Sequence, residues 1–568
     1  MSAEGADGRA VWGAVAAALR EGGVEFAFGL PGDDLVVVEA FAEHGLEVVL
    51  YADQRHAVYA ATACAVATGV PAACFVGKGP AVTHALSGVL EADAQRAPVV
   101  LLTSGVPEVA LGSGAFQELD PVAVVAPLVK RARRVALSAD IADHVRRALA
   151  VAGAAPAGPV LLEIPEGLPE ASPSVPVEPA GRPPEVRVPD RVVLGDTVLD
   201  GARRPLLIVG GGCRHADVGR SVVELAELTG AGILCTASGR GVVDEHHPAF
   251  LGLVGLYAHD AARAALAASD VVLVLGSRLE ETALHEWPSP SPAVVQVNHA
   301  PSDVVAHLPG EIVVADVRPV VAGLLRRAWG SADPTWRTEV RSLAAAARAD
   351  RSAAVDRAAA DPAAVPGPAR TVDVLRLVDA VVPARRWSVH ENGLHDMRSY
   401  FWPDWTVGAD ADCLVPSEQT PMGFGVVAAG AVARCLPGSS VVAVVGDGAF
   451  RSAAVDLARL RGEGSSVLVV VLADGGLGWL EANRRQSAPT APSFLSASRP
   501  VGDLCRADGV PHVRASGAVD LEAAVREAWQ QAVVSGVAVL EVETSSDDVP
   551  PGFEVLAGDF PLVAGQGA

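Results

Sequence analysis

The sequence predicts an α/β protein built from three doubly wound, parallel-sheet domains, and three observations carry that expectation. Short, unbroken apolar runs recur along the chain: Val99–Thr103, Pro159–Ile164, Leu206–Val209, Val271–Leu275, Ser440–Val445 and Ser466–Leu472. Strands this uniformly apolar are buried on both faces, which requires helices on both sides of a parallel sheet. Amphipathic segments alternate with these runs, the pattern of repeated strand–helix–strand units. Finally, two passages rich in proline, alanine and arginine divide the 568 residues into blocks, giving expected domains at 1–172, 190–345 and 368–550.

The first dividing passage, Pro169 to Pro189, reads as an extended linker, because proline removes a backbone donor and restricts the residue before it. The second, Arg348 to Pro368, starts as an alanine-rich helix and ends in Pro-Gly-Pro. The last dozen residues, with Gly558, Gly565 and Gly567, read as a loose tail.

Composition removes several function classes. There are 67 acidic and 44 basic side chains, a formal charge of −23, so a phosphate backbone would repel the chain and nucleic acid is not an expected partner. Only Lys78 and Lys130 are lysines. No run of eighteen apolar residues appears, so no membrane span is expected. The first residues lack the basic stretch and apolar core of a signal peptide, and the expected location is cytoplasmic. Seven scattered cysteines without a CxxC pair read as reduced, buried thiols.

The most informative segment is the strand Val441–Val445 running into Gly446-Asp447-Gly448, with a helix expected directly after it. Glycines at such a turn let backbone approach a phosphate, and the helix start adds free N–H groups and a positive dipole end. A carboxylate beside that phosphate is repelled unless a hard cation lies between, so Asp447 is a candidate Mg²⁺ ligand. A second buried strand ends in Ala473-Asp474-Gly475-Gly476, where Asp474 would add a second oxygen. Two ordinary strand-to-helix turns are the plainer reading of the same residues.

These segments, in this order, resemble the thiamine-diphosphate (ThDP) enzymes of the acetolactate synthase and pyruvate decarboxylase family. That family's Gly-Asp-Gly motif ends about thirty residues later in paired Asn, here Ala473-Asp474. Further matches are Phe28-Gly29-Leu30-Pro31-Gly32, the helix from Arg55 to Gly69, Gly79-Pro80 through Thr83, and Phe116-Gln117-Glu118. Later come Gly210 to Gly212, Leu275 to Arg278, Glu391 to His395 and Pro421-Met422-Gly423. The resemblance implies a pyrimidine-binding, a central and a diphosphate-binding domain, and ThDP- and Mg²⁺-dependent cleavage or formation of a C–C bond beside the carbonyl of a 2-oxo acid. The enzyme would be a carboligase or a decarboxylase. A binding or regulatory homologue without this chemistry is the alternative.

The resemblance also assigns roles. Metal ligands would be Asp447, Asp474 and the Gly476 carbonyl. Cofactor contacts would come from Pro31, Gly32, Gln54, Pro80, Thr83, His395, Met422, Gly446, Asp447, Gly448, Ala449, Asp474, Gly476, Leu477 and Gly478, with Met422 as the apolar wedge that bends the cofactor. Gln117, Arg278, Trp479 and Asn483 would face substrate, and Gln54, Gln117 and His395 are the catalytic candidates. Gln54 stands, at the expected end of the second strand, where the family has a glutamate that protonates the pyrimidine N1′ atom. A Gln amide hydrogen-bonds there but neither gives nor takes a proton, and general acid–base assistance is typically worth ~10²–10⁴ in rate. Three accounts stay open: a step tolerating weaker activation, loss of the chemistry, or another carboxylate in the role. Adjacent Asp53 reads as an exposed or capping carboxylate, and Glu481, Asn483, Arg484 and Arg485 as a polar pocket mouth. Asn483 replaces the tryptophan that selects the larger acceptor in acetolactate synthases, so that specific activity is not expected. FAD in the central domain is allowed by Leu251 to Gly255 with Arg278. A homodimer or homotetramer is implied, its sites completed across the subunit interface.

Overall fold

A computed structural model describes residues 8–33, 35–169, 198–327, 329, 333–359, 367–495 and 499–553. The passage read as a linker lies largely outside the described residues, as do the tail and the Pro-Gly-Pro approach at 360–366. The alanine-rich stretch before it is helical, within Trp336–Ala359.

Among the described residues eighteen strands form three six-stranded sheets, and all six sequence-expected strands are among them. The first sheet holds β1 (Phe26–Leu30), β2 (Glu47–Leu50), β3 (Ala72–Val76), β4 (Val99–Gly105), β5 (Arg131–Arg134) and β6 (Val160–Pro165), in the order β2-β1-β3-β4-β6-β5. The second holds β7 (Pro205–Val209), β8 (Gly232–Cys235), β9 (Phe250–Leu253), β10 (Val271–Leu275), β11 (Ala293–Asn298) and β12 (Gly310–Val314), ordered β12-β11-β10-β7-β8-β9. The third holds β13 (Trp387–His390), β14 (Asp412–Leu414), β15 (Ser440–Gly446), β16 (Ser466–Ala473), β17 (His512–Ala515) and β18 (Val537–Glu543), ordered β14-β13-β15-β16-β18-β17. Pairings are parallel, as in β1 with β3, β10 with β7, and β16 with β18.

Alternation along the central strands explains why their sequences are apolar throughout. In β7, Leu206 and Ile208 enter one core cluster while Leu207 and Val209 enter the cluster on the opposite face. In β10, Val272 and Val274 separate from Leu273 and Leu275 in the same way. Each such side chain removed from water contributes ~1.5–3 kcal/mol. Edge strands differ: β5 is Arg131-Ala132-Arg133-Arg134, and its charges discourage further strand pairing.

The chain divides into two compact units. The first contains the first sheet, together with 416–439 and 452–466. In it, helix Gln54–Thr68 packs on helix Phe424–Cys435 through small residues, with Tyr59 and Phe424 edge-to-face at 5.6 Å. Cys64 and Cys435 of these two helices are joined in a disulfide. This corrects the expectation of reduced thiols throughout: residues 371 positions apart in sequence meet only because the helices are neighbours. The other five cysteines are free and buried, as expected.

The second unit contains the second and third sheets. Arg240, fully buried, donates from Nε and Nη2 to the two Glu245 oxygens at 2.9 and 2.8 Å and to the Ser399 and Trp405 carbonyls. Glu245 also accepts from the Val407 N–H at 3.0 Å. This pair therefore ties the second sheet to the segment following β13. Removing one partner from a buried ion pair strands the other charge, so Glu245→Ala is expected to lower the unfolding free energy by about 3–5 kcal/mol in denaturant titration. A loss under ~1 kcal/mol would contradict that role for the pair.

Candidate functional site

Strand β15 delivers Asp447 to the start of the helix Asp447–Ala453. Its carboxylate is buried; Oδ2 accepts from the Gly475 N–H at 3.2 Å and lies 2.8 Å from Arg451 Nη1, one helical turn on. Oδ1 is buried without a partner among the described residues. A Cβ placed on Gly446 would meet nothing within 4 Å, so open space lies beside this orphaned oxygen's strand end. Burial drives the Asp447 pKa upward; Arg451 opposes that shift and neighbouring Asp474 adds to it.

Strand β16 delivers Asp474 beside it. Asp474 Oδ1 accepts from the Gly476 N–H at 3.2 Å, and Oδ2 lies 3.3 Å from His395 Nε2. Gly448 approaches the Gly476 carbonyl so closely that a Cβ on Gly448 would sit 2.8 Å from that oxygen. Gly478 is equally constrained: its Cβ would overlap Asp474 Oδ2. Ala449 is buried and Leu477 half-buried at the same turns. The two sequence-predicted carboxylates are thus brought together, linked through Gly475. An orphaned carboxylate oxygen, a nearby carbonyl and open space at a glycine fit a divalent ion carrying a diphosphate. Among the described residues no group of three or more His, Cys, Asp or Glu could hold a metal alone. The remaining ligands of an octahedral ion would be phosphate and water.

The other second-unit candidates are placed less openly. His395 is buried between Asp474 and Thr371, whose Oγ1 is 3.2 Å from Nδ1. Arg278 pairs with Glu280 at 2.5 Å. Trp479 packs on Leu394, Ala482 and Phe553, its ring edge-to-face with Phe553. Asn483 Oδ1 accepts from Ser487 Oγ on its own helix. The polar pocket mouth is corrected at two positions: Glu481 is buried and accepts from Phe494 N–H and Ser493 Oγ, and Arg484 donates to Glu481 and to the Pro489 carbonyl. Both side chains hold the 489–495 segment against Gly476 and Leu477, where a bridge joins Gly476 to Leu495. The Arg484 hydrogen bond leads the forces that lower the Glu481 pKa to about 2.

Within the first unit, β1 leads into Pro31-Gly32, and Gly32 lies so near Gly77 that a Cβ on Gly77 would come within 2.9 Å of it. Pro80 opens the helix Pro80–Ala94 after Gly79, and Thr83 Oγ1 donates to the Pro80 carbonyl. Gln117, at φ +58°, packs its backbone against Gly79. Glu118 braces that loop by accepting from the Gly112, Gly114 and Ala115 N–H groups. Buried Glu91 accepts from Ser417 N–H at 2.8 Å and so anchors the segment leading to Met422. Met422 is 42% exposed, so it is not a core methionine. Gln54 is the first residue of its helix rather than the end of a strand, because β2 stops at Leu50. Asp53 caps that helix, accepting from the Arg55 N–H at 2.8 Å, as the capping reading expects.

Sequence reading missed Asp396. It is fully buried in Asp396–Tyr400, its carboxylate oxygens have no close hydrogen-bond partner among the described residues, and burial, aided by Asp474, drives its pKa up to about 7. Nothing in the sequence marks a lone aspartate in a short 3-10 turn. Arg451 was missed as well, although its spacing offered a signal: a basic residue four after Asp447 on a helix faces it.

Three parallel six-stranded sheets, with two buried carboxylates meeting at adjacent strand ends of the third, define a multidomain α/β protein. The descriptions of three domain families match in chain order: the N-terminal TPP binding domain of thiamine pyrophosphate enzymes over 10–124, their central domain over 197–324 and their C-terminal TPP binding domain over 405–542. The chain belongs to this family, as an enzyme of the acetolactate synthase type. It is 30% identical over 311 residues to the acetolactate synthase large subunit of Parasynechococcus marenigrum, covering 52% of this chain and 50% of that one. It is 28% identical over 481 residues to the acetolactate synthase of Arthrospira platensis, 81% of each chain. The large subunit from Haemophilus influenzae is 24% identical over 539 residues, 91% of each. Among the described residues no helix is long and apolar enough to cross a membrane.

Asp396 gives the cofactor-free protein a signature. A carboxyl whose pKa is raised by folding contributes stability that is complete below its unfolded value of ~4. That contribution is lost as pH rises through about 7. Asp396→Asn is therefore expected to gain stability over the parent at pH ~8 by a few kcal/mol, with the gain shrinking toward pH ~5, in urea unfolding at both values. An identical difference at both pH values would contradict this.

Proposed function

We propose that this chain uses thiamine diphosphate with Mg²⁺ to join or cleave a C–C bond next to the carbonyl of a 2-oxo acid, with carboligation as the main outcome. The observation that carries the reading is Asp447: a buried carboxylate with one oxygen unpartnered, at a strand end that opens onto free space at Gly446. The acetolactate synthase relatives support the carboligase outcome and a small 2-oxo acid as substrate.

When bound, thiamine diphosphate would supply a nucleophilic C2 carbon for chemistry at the substrate carbonyl. The chain's residues do the rest. Asp447, Asp474 and the Gly476 carbonyl would hold the metal, and Gly446, Gly448 and Ala449 the diphosphate. Arg451 offsets part of the negative charge that Asp396, Asp447 and Asp474 concentrate there. His395, wedged between Thr371 and Asp474, orients Asp474. Exposed Met422 is the wedge, and Gln54 hydrogen-bonds the pyrimidine without exchanging a proton. Gln117 is proposed to face substrate, with Pro31, Gly32, Pro80 and Thr83 shaping that side. Arg278, Trp479 and Asn483 remain weaker substrate candidates, since each is engaged by its own neighbours. The active form is proposed to be a homodimer or homotetramer.

Thiamine diphosphate and Mg²⁺ at ~100 times Kd are expected to stabilise the parent by ~2.7 kcal/mol, read as a rise in Tm. In Asp447→Ala the rise should vanish; its persistence would count against the metal assignment. No rise in the parent would favour a homologue without this chemistry, and flavin absorbance in the purified protein would add FAD. Gln54→Glu is expected to speed deuterium exchange at C2 of the bound cofactor by ~10², followed by NMR after acid quench. An unchanged rate would mean residue 54 does not govern N1′.

A further inference from the structure

We propose that Asp456 is the positioning residue for Gln54. Gln54 is half-buried at the first position of a helix, where its amide must be held in one place to meet a flat heteroaromatic ring. Asp456 lies some 400 residues further along the chain, in the 3-10 segment Ala454–Leu460, at a non-helical kink. Both of its oxygens are spent on the Gln54 turn. Oδ1 accepts from the Ala52 N–H at 2.8 Å, and Oδ2 accepts from His56 Nδ1 at 2.7 Å. The two contacts bracket Gln54, two residues before it and two after.

The setting favours a stiff clamp. Asp456 and His56 are buried, and Tyr51, Val426, Gly430 and Leu460 line the same recess with Asp456. His56 Nε2 has no partner among the described residues, so its ring is held from the Asp456 side. The other restraints act on the ends of the turn: Tyr51 N–H on the Gly29 carbonyl at 2.9 Å, and Asp53 on the helix start. Ala52 is exposed, so its N–H would find water if Asp456 were removed. The Ala52 contact therefore adds little to stability and much to orientation. A displacement near 1 Å at a catalytic group can cost ~10²-fold, and a productive constellation must be held to within ~0.5 Å.

This inference rests on the proposed ThDP function, and the test separates the two. Parent, Asp456→Ala and Asp456→Asn, each full-length, are titrated calorimetrically with thiamine diphosphate and Mg²⁺, and separately with inorganic pyrophosphate and Mg²⁺. Pyrophosphate probes the diphosphate cradle alone. Asp456→Ala is expected to weaken thiamine diphosphate by about tenfold while pyrophosphate stays within about twofold. Asp456→Asn, whose amide oxygen still accepts from Ala52, should recover most of the difference. If Asp456→Ala does not fold, His56→Ala removes one of the two contacts and is expected to show the same selective loss at about threefold. Equal loss for both ligands, or no loss for thiamine diphosphate, would overturn the positioning role. A parent that binds no thiamine diphosphate would instead overturn the proposed function.

Discussion

A carboxylate taken out of water at the end of a parallel strand has to be answered by opposite charge, and Asp447 is answered only in part. Arg451 and the Gly475 N–H serve one oxygen; the other has no partner among the described residues. Asp474 adds to the same negative field. Such a concentration of desolvated acid is costly unless a cation occupies it. That imbalance is the constraint from which the functional reading follows. The glycines around it serve the same end, since Gly448 and Gly478 admit the carbonyl and the carboxylate that a Cβ would displace.

The framework that holds these groups is rigid for a plain reason. Central strands buried on both faces admit no slippage without exposing a whole row of side chains. The Asp447 and Asp474 turns leave neighbouring strand ends, so their separation is set by the sheet. Polar ties then fix what the strands leave free: Arg240 and Glu245 for the segment beyond β13, Glu481 and Arg484 for residues 489–495, Glu118 for the Gln117 loop. Each spends charged groups on backbone partners, which is how a loop is held where side-chain packing is sparse.

Under the proposed function, an amide at Gln54 would change the chemistry while the turn around it keeps its place. The helix it opens is capped by Asp53, and Asp456 accepts from Ala52 and His56 on either side of Gln54. An amide in that place can recognise but not transfer a proton. Under the proposed function these surroundings would preserve position, which is what binding needs, while proton transfer at N1′ would be given up.

Much was legible from residue order alone. Continuous apolar runs declared parallel strands, because burial on two faces leaves no polar alternation. Gly446-Asp447-Gly448 and Asp474-Gly475-Gly476 declared their turns, because strand ends with glycine and one acid are locally specified. Tertiary structure decided what depends on distant partners. The Cys64–Cys435 disulfide, the Asp456 contacts with the Gln54 turn and the inward use of Glu481 each join residues whose neighbourhood no local pattern encodes. Asp396 belongs with them: a lone aspartate says nothing until the packing around it shows that water has been removed from its carboxyl.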